Sequence, residues 1–419
     1  MASATVTGAN GETVNLTFDT QANAVIAQNL AAAITAGVDA ESIIPADSKD
    51  GPPPPLPPGK TGEFIQSTPG STILPPGYLD VINSSPDPTI TGTGGKGQTV
   101  LSTGLSDLTF IDRGGTGTVV AGGGDNRIVL TSSSSSSPPP VGWLVNTGNG
   151  DDNIITTNGK SDTIKPGGGH NALQIGNGDQ VLSTGDDTVL ASGKGSETIT
   201  ATGPHSVLVH GQASDIYFVS DVGSATVFGG TGSDTFFGGA GPDLVHGGTG
   251  GNNILHAGTG PATLFGGGDG DQLFAAGTAS AFGTENQVLH AGGGSETLFG
   301  AFGSGDNTFY AGAGSDQITG GTGSDTFNAA AGNATITGGT GDSLFVFTKG
   351  QAGGQDLITD FTSGADTVSL VGYGPTAIAD AVASQTFVAG TATITLTDNT
   401  KITFSGLSTS LKPSDFSSS

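Results

Sequence analysis

The chain contains no cysteine and very few positively charged residues. Its 11 Lys and Arg residues stand against 37 Asp and Glu residues, which gives a formal net charge of −26 over 419 residues. Without cysteine, disulfides and thiolate metal sites are excluded. The acidic charge argues against nucleic acid and anionic membrane surfaces as partners, because both are bound by basic faces.

Aromatic residues and long apolar stretches are also scarce. No stretch approaches the ~20 apolar residues that a transmembrane helix needs, so we expect no membrane insertion. Aromatic residues make up 6% and hydrophobic residues 34% of the chain, which is too little for an ordinary globular core of this length. Intrinsic disorder is therefore a real alternative, and only a regular spacing of residues argues against it.

Glycine, by contrast, is abundant, with 75 residues, and it is regularly spaced between Gly229 and Val346. A nine-residue frame has small residues at positions one, two and four, an acid at position six and an apolar residue at position eight. Its best copies are GGTGSDTFF from Gly229, GGAGPDLVH from Gly238, AGAGSDQIT from Ala311 and GGTGSDTFN from Gly320. These copies follow the nonapeptide GGxGxDxUx.

The frame predicts a solenoid of short strands. Glycine at fixed positions marks turns, and the residues after the acid are β-prone. One unit cannot bury its apolar side chain alone, so neighbouring units must stack. If two units make one coil, acids from every second repeat lie above one another, and their repulsion is relieved by a cation between them. Carboxylate and carbonyl oxygens favour Ca²⁺ over a transition metal.

The repeats resemble those of the RTX (repeats-in-toxin) family. The resemblance implies an all-β fold, a parallel β-roll or β-solenoid, in which the acid at position six and the carbonyls of the glycine turn hold Ca²⁺ between coils. It implies the following ligand positions in this sequence: Gly230, Gly232, Asp234, Gly239, Gly241, Asp243, Asn253, Asp271, Glu296, Asp306, Gly314, Asp316, Gly321, Gly323, Asp325, Asp342, Asp356 and Asp360.

Not every repeat carries an acid, so we expect fewer ions than repeats. Asp243 would pair with Ala262, and Asp316 with Ala334 on one side and Glu296 on the other. We expect the run Asp306, Asp325 and Asp342 to have the most carboxylates available to share an ion. The alternative is a partly calcium-free solenoid held by Thr, Asn and apolar ladders. Such a chain can be disordered without calcium and fold when calcium binds.

The residues before the repeats predict a small N-terminal element over residues 1–50. Ala4–Thr7 and Thr13–Phe18 form a hairpin in this prediction, and a helix runs from Gln21 to Ala36 with Asp19 or Thr20 as its cap and Gly37 as its stop. The element would shield the first coil, or it would serve assembly or anchoring. Residues 51–90, with GPPPPLPPG at their start, are interpreted as a linker and transitional segment.

Residues 91–228 carry degenerate repeats such as GGGDNRIVL and GNGDDNII, interrupted by the low-complexity loop TSSSSSSPPP. The strict repeats occupy residues 229–349. The sole tryptophan, Trp143, follows the loop, and we expect it to pack beneath the loop, with a sugar-stacking role as the alternative.

Residues 350–419 have a sequence pattern that differs from the nine-residue repeats. Asp356, Ile358, Asp360 and Phe361 resemble the D-x-I-x-D-F run of the module that closes the β-roll of serralysin-type proteases. This resemblance implies a C-terminal β cap and an uncleaved signal for type I secretion. The chain ends in DFSSS and lacks the short apolar tail common in that group.

No HExxH, GxSxG or P-loop motif is present. The histidines near the last repeat positions, His246, His256 and His290, are expected at the surface, with transition-metal ligation as the alternative.

We therefore expect that the protein is not an enzyme. We expect a secreted, calcium-binding structural protein that builds extracellular material such as a matrix, surface layer or filament. A homopolymer would form through the N- and C-terminal elements. The alternatives are an adhesive module that binds polysaccharide or another surface, and a carbohydrate-active enzyme.

Overall fold

The computed structural model describes residues 2–8, 11–104, 106–131, 141–157, 159, 161–176, 178–275, 285–300 and 304–419. It forms two compact units, Met1–Ser214 and Asp215–Ser419. The prediction of a serine-rich loop falls largely on residues 132–140, which lie outside the described residues. Two further predictions are partly outside them: the hairpin turn at residues 9–10 and the irregular repeat that contains residues 301–303.

The first unit begins with the expected hairpin and helix. Strands β1 (Ala2–Thr7) and β2 (Thr13–Phe18) pair antiparallel. Helix α1 (Gln21–Asp39) follows, and the Thr20 side chain caps it by accepting the backbone N–H of Asn23 at 3.2 Å.

The expected stop at Gly37 is wrong, because α1 continues to Asp39. Gly37 lies inside the last turns of the helix, where a Cβ would collide with the Ile43 side chain. The glycine is therefore explained by the close approach of the next strand to the helix.

The rest of the first unit is a parallel solenoid. Its strands are β3 (Ile43–Asp47), β4 (Thr61–Gln66), β5 (Ser71–Ile73), β6 (Tyr78–Asn83), β7 (Thr89–Thr91), β8 (Gln98–Ser102), β9 (Thr109–Arg113), β10 (Gly117–Val120), β11 (Arg127–Thr131), β12 (Val141–Asn146), β13 (Asn153–Thr157), β14 (Ser161–Gly167), β15 (Ala172–Ile175), β16 (Gln180–Ser183), β17 (Asp187–Ala191), β18 (Ser196–Ala201) and β19 (Val207–Gly211). Strand β3 and the even-numbered strands form one parallel sheet, and the odd-numbered strands from β5 form the other.

The parallel sheet begins at Ile43, well before the expected start at residue 91. The proline-rich segment joins β3 to β4, which pair in parallel, so it is the connection within the first coil and no interdomain linker. Proline is tolerated there because a connection needs no ladder N–H. The segment is held in place, since the Tyr78 hydroxyl donates to the Pro54 carbonyl at 2.8 Å.

The hairpin and α1 cover the outer face of the first sheet. The sequence predicted instead that they would shield the first coil. One outer row of that sheet is apolar and fully buried beneath them: Ile65, Ile82, Leu101 and Val120. The helix contributes mainly alanines to this contact: Ala24, Ala27 and Ala31. Small side chains let the helix approach the sheet closely, so the element packs along several coils at once.

The second unit repeats the solenoid with shorter strands. Its strands are β20 (Asp215–Ser220), β21 (Ala225–Phe228), β22 (Thr235–Phe237), β23 (Asp243–His246), β24 (Ile254–His256), β25 (Ala262–Phe265), β26 (Gln272–Phe274), β27 (Val288–His290), β28 (Thr297–Phe299), β29 (Thr308–Tyr310), β30 (Ser315–Thr319), β31 (Thr326–Asn328), β32 (Asn333–Thr337), β33 (Leu344–Thr348), β34 (Gln355–Ile358) and β35 (Thr367–Val371). Even-numbered and odd-numbered strands again form separate parallel sheets.

The apolar residue at position eight of each frame points into the coil. Phe236, Val245, Ile318 and Phe327 are all 1% exposed. Equivalent residues stack from coil to coil, as in the inner row in which the rings of Phe309, Phe327 and Phe345 follow one another at 5.1 Å. The core is thus a set of ladders, so few aromatic residues suffice to fill it.

The C-terminal segment ends the second unit with the helix α2 (Ala377–Ala383) and the strands β36 (Thr386–Val388), β37 (Thr391–Thr395), β38 (Lys401–Phe404) and β39 (Phe416–Ser418). Strands β38 and β39 add one more parallel strand to each sheet, and β36 to β38 form an antiparallel ribbon. Among the described residues, neither helix is long and apolar enough to cross a membrane.

Candidate functional site

The position-six residues of the second unit lie in two rows, one at the start of each sheet. The first row lies at the start of the even-numbered strands, just before them or at their second residue, and contains Asp234, Asn253, Asp271, Glu296, Asp316, Ala334 and Asp356. All of these side chains are nearly fully buried. The solenoid therefore brings together acids that are far apart in sequence.

Side-chain oxygens link this row from coil to coil. Asp234 Oδ1 accepts the N–H of Ile216 at 2.8 Å, and the Asp234 N–H in turn donates to Asn253 Oδ1 at 2.7 Å. Asp271 and Asp356 accept from the preceding coil in the same way. These position-six oxygens thus take the place of a backbone acceptor where the chain turns between strands.

The second row lies at the start of the odd-numbered strands, just before them or at their first residue, and contains Asp243, Ala262, Gln287, Asn307, Asp325, Ser343 and Asp366. The same hydrogen bonds recur, for example from the Asn307 N–H to Asp325 Oδ1 at 2.8 Å and from the Ser343 N–H to Asp366 Oδ1 at 2.8 Å. Asp243 does stack on Ala262, as the spacing predicts.

The expected run Asp306, Asp325 and Asp342 is wrong. Asp325 is buried, but Asp306 and Asp342 each precede the row by one residue and are exposed. Asp306 belongs to an outer ladder, where its Oδ1 accepts the N–H of Ser324 at 2.7 Å. The coils here are 18 residues long, which pairs Asp325 with Asn307 and Ser343, so the prediction placed Asp306 and Asp342 one residue out of register.

Neutral side chains separate most of the buried acids within a row. Asn253 lies between Asp234 and Asp271, and Asn307 and Ser343 flank Asp325. This spacing reduces the like-charge repulsion that stacked acids would suffer.

Glu296 and Asp316 are adjacent, and the Glu296 N–H donates to Asp316 Oδ1 at 3.1 Å. Burial, together with this neighbour, raises the pKa of Glu296 to about 8. Ala334 follows Asp316 in the row, as the sequence predicts.

Several buried acids have one carboxylate oxygen without a hydrogen-bond donor among the described residues: Asp234 Oδ2, Asp243 Oδ2, Asp271 Oδ2, Glu296 Oε2 and Asp356 Oδ2. Burial raises the pKa of Asp234 to about 6 and those of Asp243 and Asp356 to about 7. Burial therefore disfavours the ionised form of these carboxylates.

Glycine turns of successive coils lie directly on one another beside these acids. A Cβ on Gly239 would collide with the Asp221 carbonyl oxygen, and one on Gly314 with the Gly294 carbonyl oxygen. The other predicted glycine positions lie in the same stacked turns: Gly230, Gly232, Gly241, Gly321 and Gly323. Carbonyl oxygens of one coil thus approach the turn of the next closely enough to exclude any side chain.

Asp360 behaves differently from Asp356. Its two carboxylate oxygens accept the N–H groups of Gly338 and Gly339 at 2.7 Å and 2.9 Å. Asp360 is half-buried and closes the outside of a glycine turn, so both of its oxygens already have donors in this structure.

The residues present fit calcium. No three His, Cys, Asp or Glu side chains converge among the described residues. The turns contain single carboxylates beside glycine carbonyls. Several of these carboxylates have a buried oxygen that has no hydrogen-bond donor among the described residues. Hard oxygen donors of this kind are the ligands that Ca²⁺ prefers. An ion there would stabilise the ionised form of an acid whose pKa burial has raised.

Sequence reasoning missed a related row in the first unit. It lies at the start of the odd-numbered strands and consists of Leu108, Asn126, Asp152, Asn171, Asp187 and Val207. Asp162, Asp179 and Glu197 lie in consecutive coils at the start of the even-numbered strands. Burial raises the pKa of Asp179 to about 7, with Asp162 adding to the effect. An acid or amide at the start of most of these short β-prone runs was the available signal.

The histidines that were predicted at the surface stack against aromatic rings of neighbouring coils, which the sequence did not reveal. His246 stacks between Phe228 and Phe265, with ring centroids 5.1 Å and 4.3 Å away. His290 stacks between Phe265 and Tyr310 at 4.3 Å on both sides. These rings are nearly parallel along the ladder, so they stabilise neighbouring coils and present their edges outward. Trp143 is 2% exposed beside Phe110, which leaves no ring face for a sugar.

Comparison with known proteins agrees with this geometry. The family model of the RTX calcium-binding nonapeptide repeat (4 copies) matches residues 221–250, 248–277 and 303–336. None of the curated proteins matches the chain.

Proposed function

We propose that this chain, an RTX β-roll protein that binds calcium, is a secreted structural protein that folds on meeting calcium and assembles into extracellular material. The observation that carries the proposal is the set of buried acids with raised pKa values and unpartnered oxygens. Calcium stabilises a fold that is strained by its own charge when metal-free.

Export is coupled to this folding in the proposal. At low calcium, charge repulsion and the conformational entropy of glycine keep the chain open. Outside the cell, calcium at millimolar concentration, on the order of the dissociation constants of extracellular sites, would drive the roll to form. Type I secretion is the route that the family resemblance suggests.

Assembly is proposed to occur through strand edges at the two ends of the chain. Among the described residues, β5 pairs only with β7, and its Ile73 is 76% exposed. At the other end β36 pairs only with β37, and its Val388 is 72% exposed. Unpaired, partly apolar strand edges of this kind favour pairing with a second copy.

Calcium titration of the full chain, followed by circular dichroism, tests coupled folding. We expect little β signal in chelator and a cooperative rise with calcium. A fully folded chain in chelator would contradict the proposal. Electron microscopy of the same samples tests assembly, where ordered polymers are expected with calcium. Dispersed monomers that bind polysaccharide would instead favour an adhesive module.

A further inference from the structure

The face of the first sheet that the hairpin and α1 cover also carries two acids. Glu63 in β4 and Asp80 in β6 are paired directly across the parallel ladder. Successive residues of a strand point to opposite faces, so Glu63 and Asp80 share a face with Ile65 and Ile82. Those two isoleucines belong to the apolar row beneath the N-terminal element. The two carboxyl groups are therefore neighbours on the covered face.

Two contacts of the N-terminal element bracket Glu63 along this face. On one side, a Cβ on Gly37 of α1 would collide with the side chain of Ile43, which is paired with the start of β4. On the other side, a Cβ on Gly8, next to β1, would collide with the side chain of Ile65. Glu63 lies between these two points in β4 and is 0% exposed. The N-terminal element thus closes over the acid and separates it from water.

The buried Glu63 carboxyl group lacks the hydrogen bonds that would stabilise a charge. Neither Oε1 nor Oε2 has a donor among the described residues. Asp80 is 8% exposed, and the side chain of Thr99 in the next coil donates a hydrogen bond to it. A buried acid without donors is disfavoured in its ionised form, so the enclosure favours a protonated Glu63.

The surrounding segments supply no cation to the pair. Besides the pair, residues 2–83 contain the following ionisable side chains: Glu12, Asp19, Asp39, Glu41, Asp47, Lys49, Asp50, Lys60 and Tyr78. Lys49 forms ion pairs with Glu12 and Asp47, and Lys60 donates to the backbone carbonyl of Glu41. Strand β8, which follows β6 in the sheet, contains no charged residue. Both lysines are thus engaged elsewhere, and the remaining groups are acids and one tyrosine.

We propose that Glu63 and Asp80 form a proton-dependent latch that holds the N-terminal element on the solenoid. While the pair carries protons, the hairpin and α1 close over it. When both groups ionise, two adjacent charges remain in a site without water or cations, and the element opens to hydrate them. Opening also exposes the apolar outer row of the first sheet.

The pKa values place this step near neutral pH. Burial, and then the neighbouring Asp80, raises the pKa of Glu63 to about 8, and burial raises the pKa of Asp80 to about 6. Carboxyl groups that are hydrated in the open form return to ~4. The closed form therefore binds more protons than the open form. Its stability falls as the pH rises from ~4 and is lowest above the folded pKa of Glu63, which is about 8.

Hydrogen exchange of the full chain at about pH 6 and about pH 9 tests the latch. Saturating calcium is present in both samples, so that the calcium-binding repeats are in the same state. Protection factors are compared, because they correct for the intrinsic effect of pH on exchange. We expect the protection of α1 to fall about tenfold or more at the higher pH. A dye that binds exposed apolar surface should bind more strongly there as well.

Substitutions of the pair assign the effect to its protons. Glu63→Gln mimics the protonated acid, and Glu63→Met replaces the acid by an apolar side chain of similar size. In both variants the protection of α1 should stay nearly the same at the two pH values. Asp80→Asn removes the neighbouring charge and should reduce the fall. Glu63→Met keeps the test open if the buried amide of Glu63→Gln prevents folding.

Asp39→Asn is the matched control, because Asp39 is an exposed acid of α1 itself. Its fall in protection should equal that of the wild type. The latch is refuted if the wild type protects α1 equally at both pH values, or if the fall persists undiminished in the Glu63 variants. A fall that Asp39→Asn also abolishes would assign the effect to the net charge of the element and would overturn the latch as well.

Discussion

At the scale of residues, the buried position-six acids combine a structural hydrogen bond with an unfavourable buried charge. Each aspartate of the rows accepts a backbone N–H from the neighbouring coil, as Asp325 does from Asn307 at 2.8 Å. Each also carries a charge that burial disfavours. The first property organises the turns, and the second is the reason for the proposal that the fold depends on a counter-ion.

Asp325→Asn should raise the calcium concentration at the folding midpoint by about tenfold, because it removes a buried carboxylate from a turn with an intact glycine frame. The matched control is Asp306→Asn, which removes the same charge from the exposed outer ladder. We expect its midpoint to stay near that of the wild type. Calcium titration by circular dichroism measures both. Equal shifts in the two variants would mean that net charge, and not the buried row, governs folding.

The calcium-free protein should become more stable as the pH falls. Burial raises the folded pKa values of Asp234 to about 6, Asp243 to about 7 and, with the adjacent Asp316, Glu296 to about 8. The unfolded values are ~4, so the folded state binds more protons throughout this window. The destabilisation is complete above about pH 8 and is relieved as pH falls towards ~4.

Circular dichroism of calcium-stripped protein at about pH 5 and pH 8 measures this effect, because the chain should be largely unfolded without calcium at pH 8 and should gain β signal on acidification. With saturating calcium the trend should reverse, because protons compete with the ion for the carboxylates. A calcium-free protein that loses stability on acidification to about pH 5 would contradict the assignment of these acids as strained.

At the scale of elements, the hairpin and α1 act as a lateral clamp on the first sheet. The clamp buries an outer row that would otherwise be exposed, including Ile82 and Leu101. Small alanines on the helix and the missing side chain at Gly37 permit this close packing. The clamp therefore joins several coils that the backbone ladders already connect.

Leu101→Ala should lower the free energy of unfolding of the calcium-bound protein by about 3 kcal/mol, because Leu101 is 0% exposed between the sheet and the N-terminal element. Leu244→Ala is the control, since Leu244 is 36% exposed on the solenoid surface. Its effect should stay within about 0.5 kcal/mol. Denaturant unfolding compares the two. A cost for Leu101→Ala no larger than that of the control would mean that the contact is loose in solution.

At the scale of the whole molecule, calcium-dependent folding and assembly belong to one proposed process. Strand edges such as β5 and β36 exist only once the sheets have formed, so polymers should appear only under folding conditions. Calcium would thus control when and where the protein associates.

Val388→Lys should suppress calcium-dependent polymers, because a charge on the outer strand β36 opposes pairing with another copy. Val388 is 72% exposed, so the folded chain should tolerate the change. Val222→Lys is the control, because Val222 is 47% exposed in a turn away from that edge. Light scattering and electron microscopy measure the outcome. Undiminished polymers in Val388→Lys would place assembly elsewhere.

The amino-acid sequence by itself determined the fold class, the turn glycines and the preference for calcium. These follow from local chemistry, since Gly239 and Asp243 stand at fixed positions of a nine-residue frame. The hairpin and the start of α1 were predictable for the same reason, through the cap at Thr20.

Only the tertiary structure decided which residues share a row and where the N-terminal element lies. Ala262 and Gln287 are neighbours in a row although 25 residues separate them in the chain, so their register could not be read without strand pairing. Likewise, nothing local joins Asp19 to a turn 130 residues away, near Asn149. Such contacts depend on how coils stack, and stacking is a property of the folded chain that no single repeat contains.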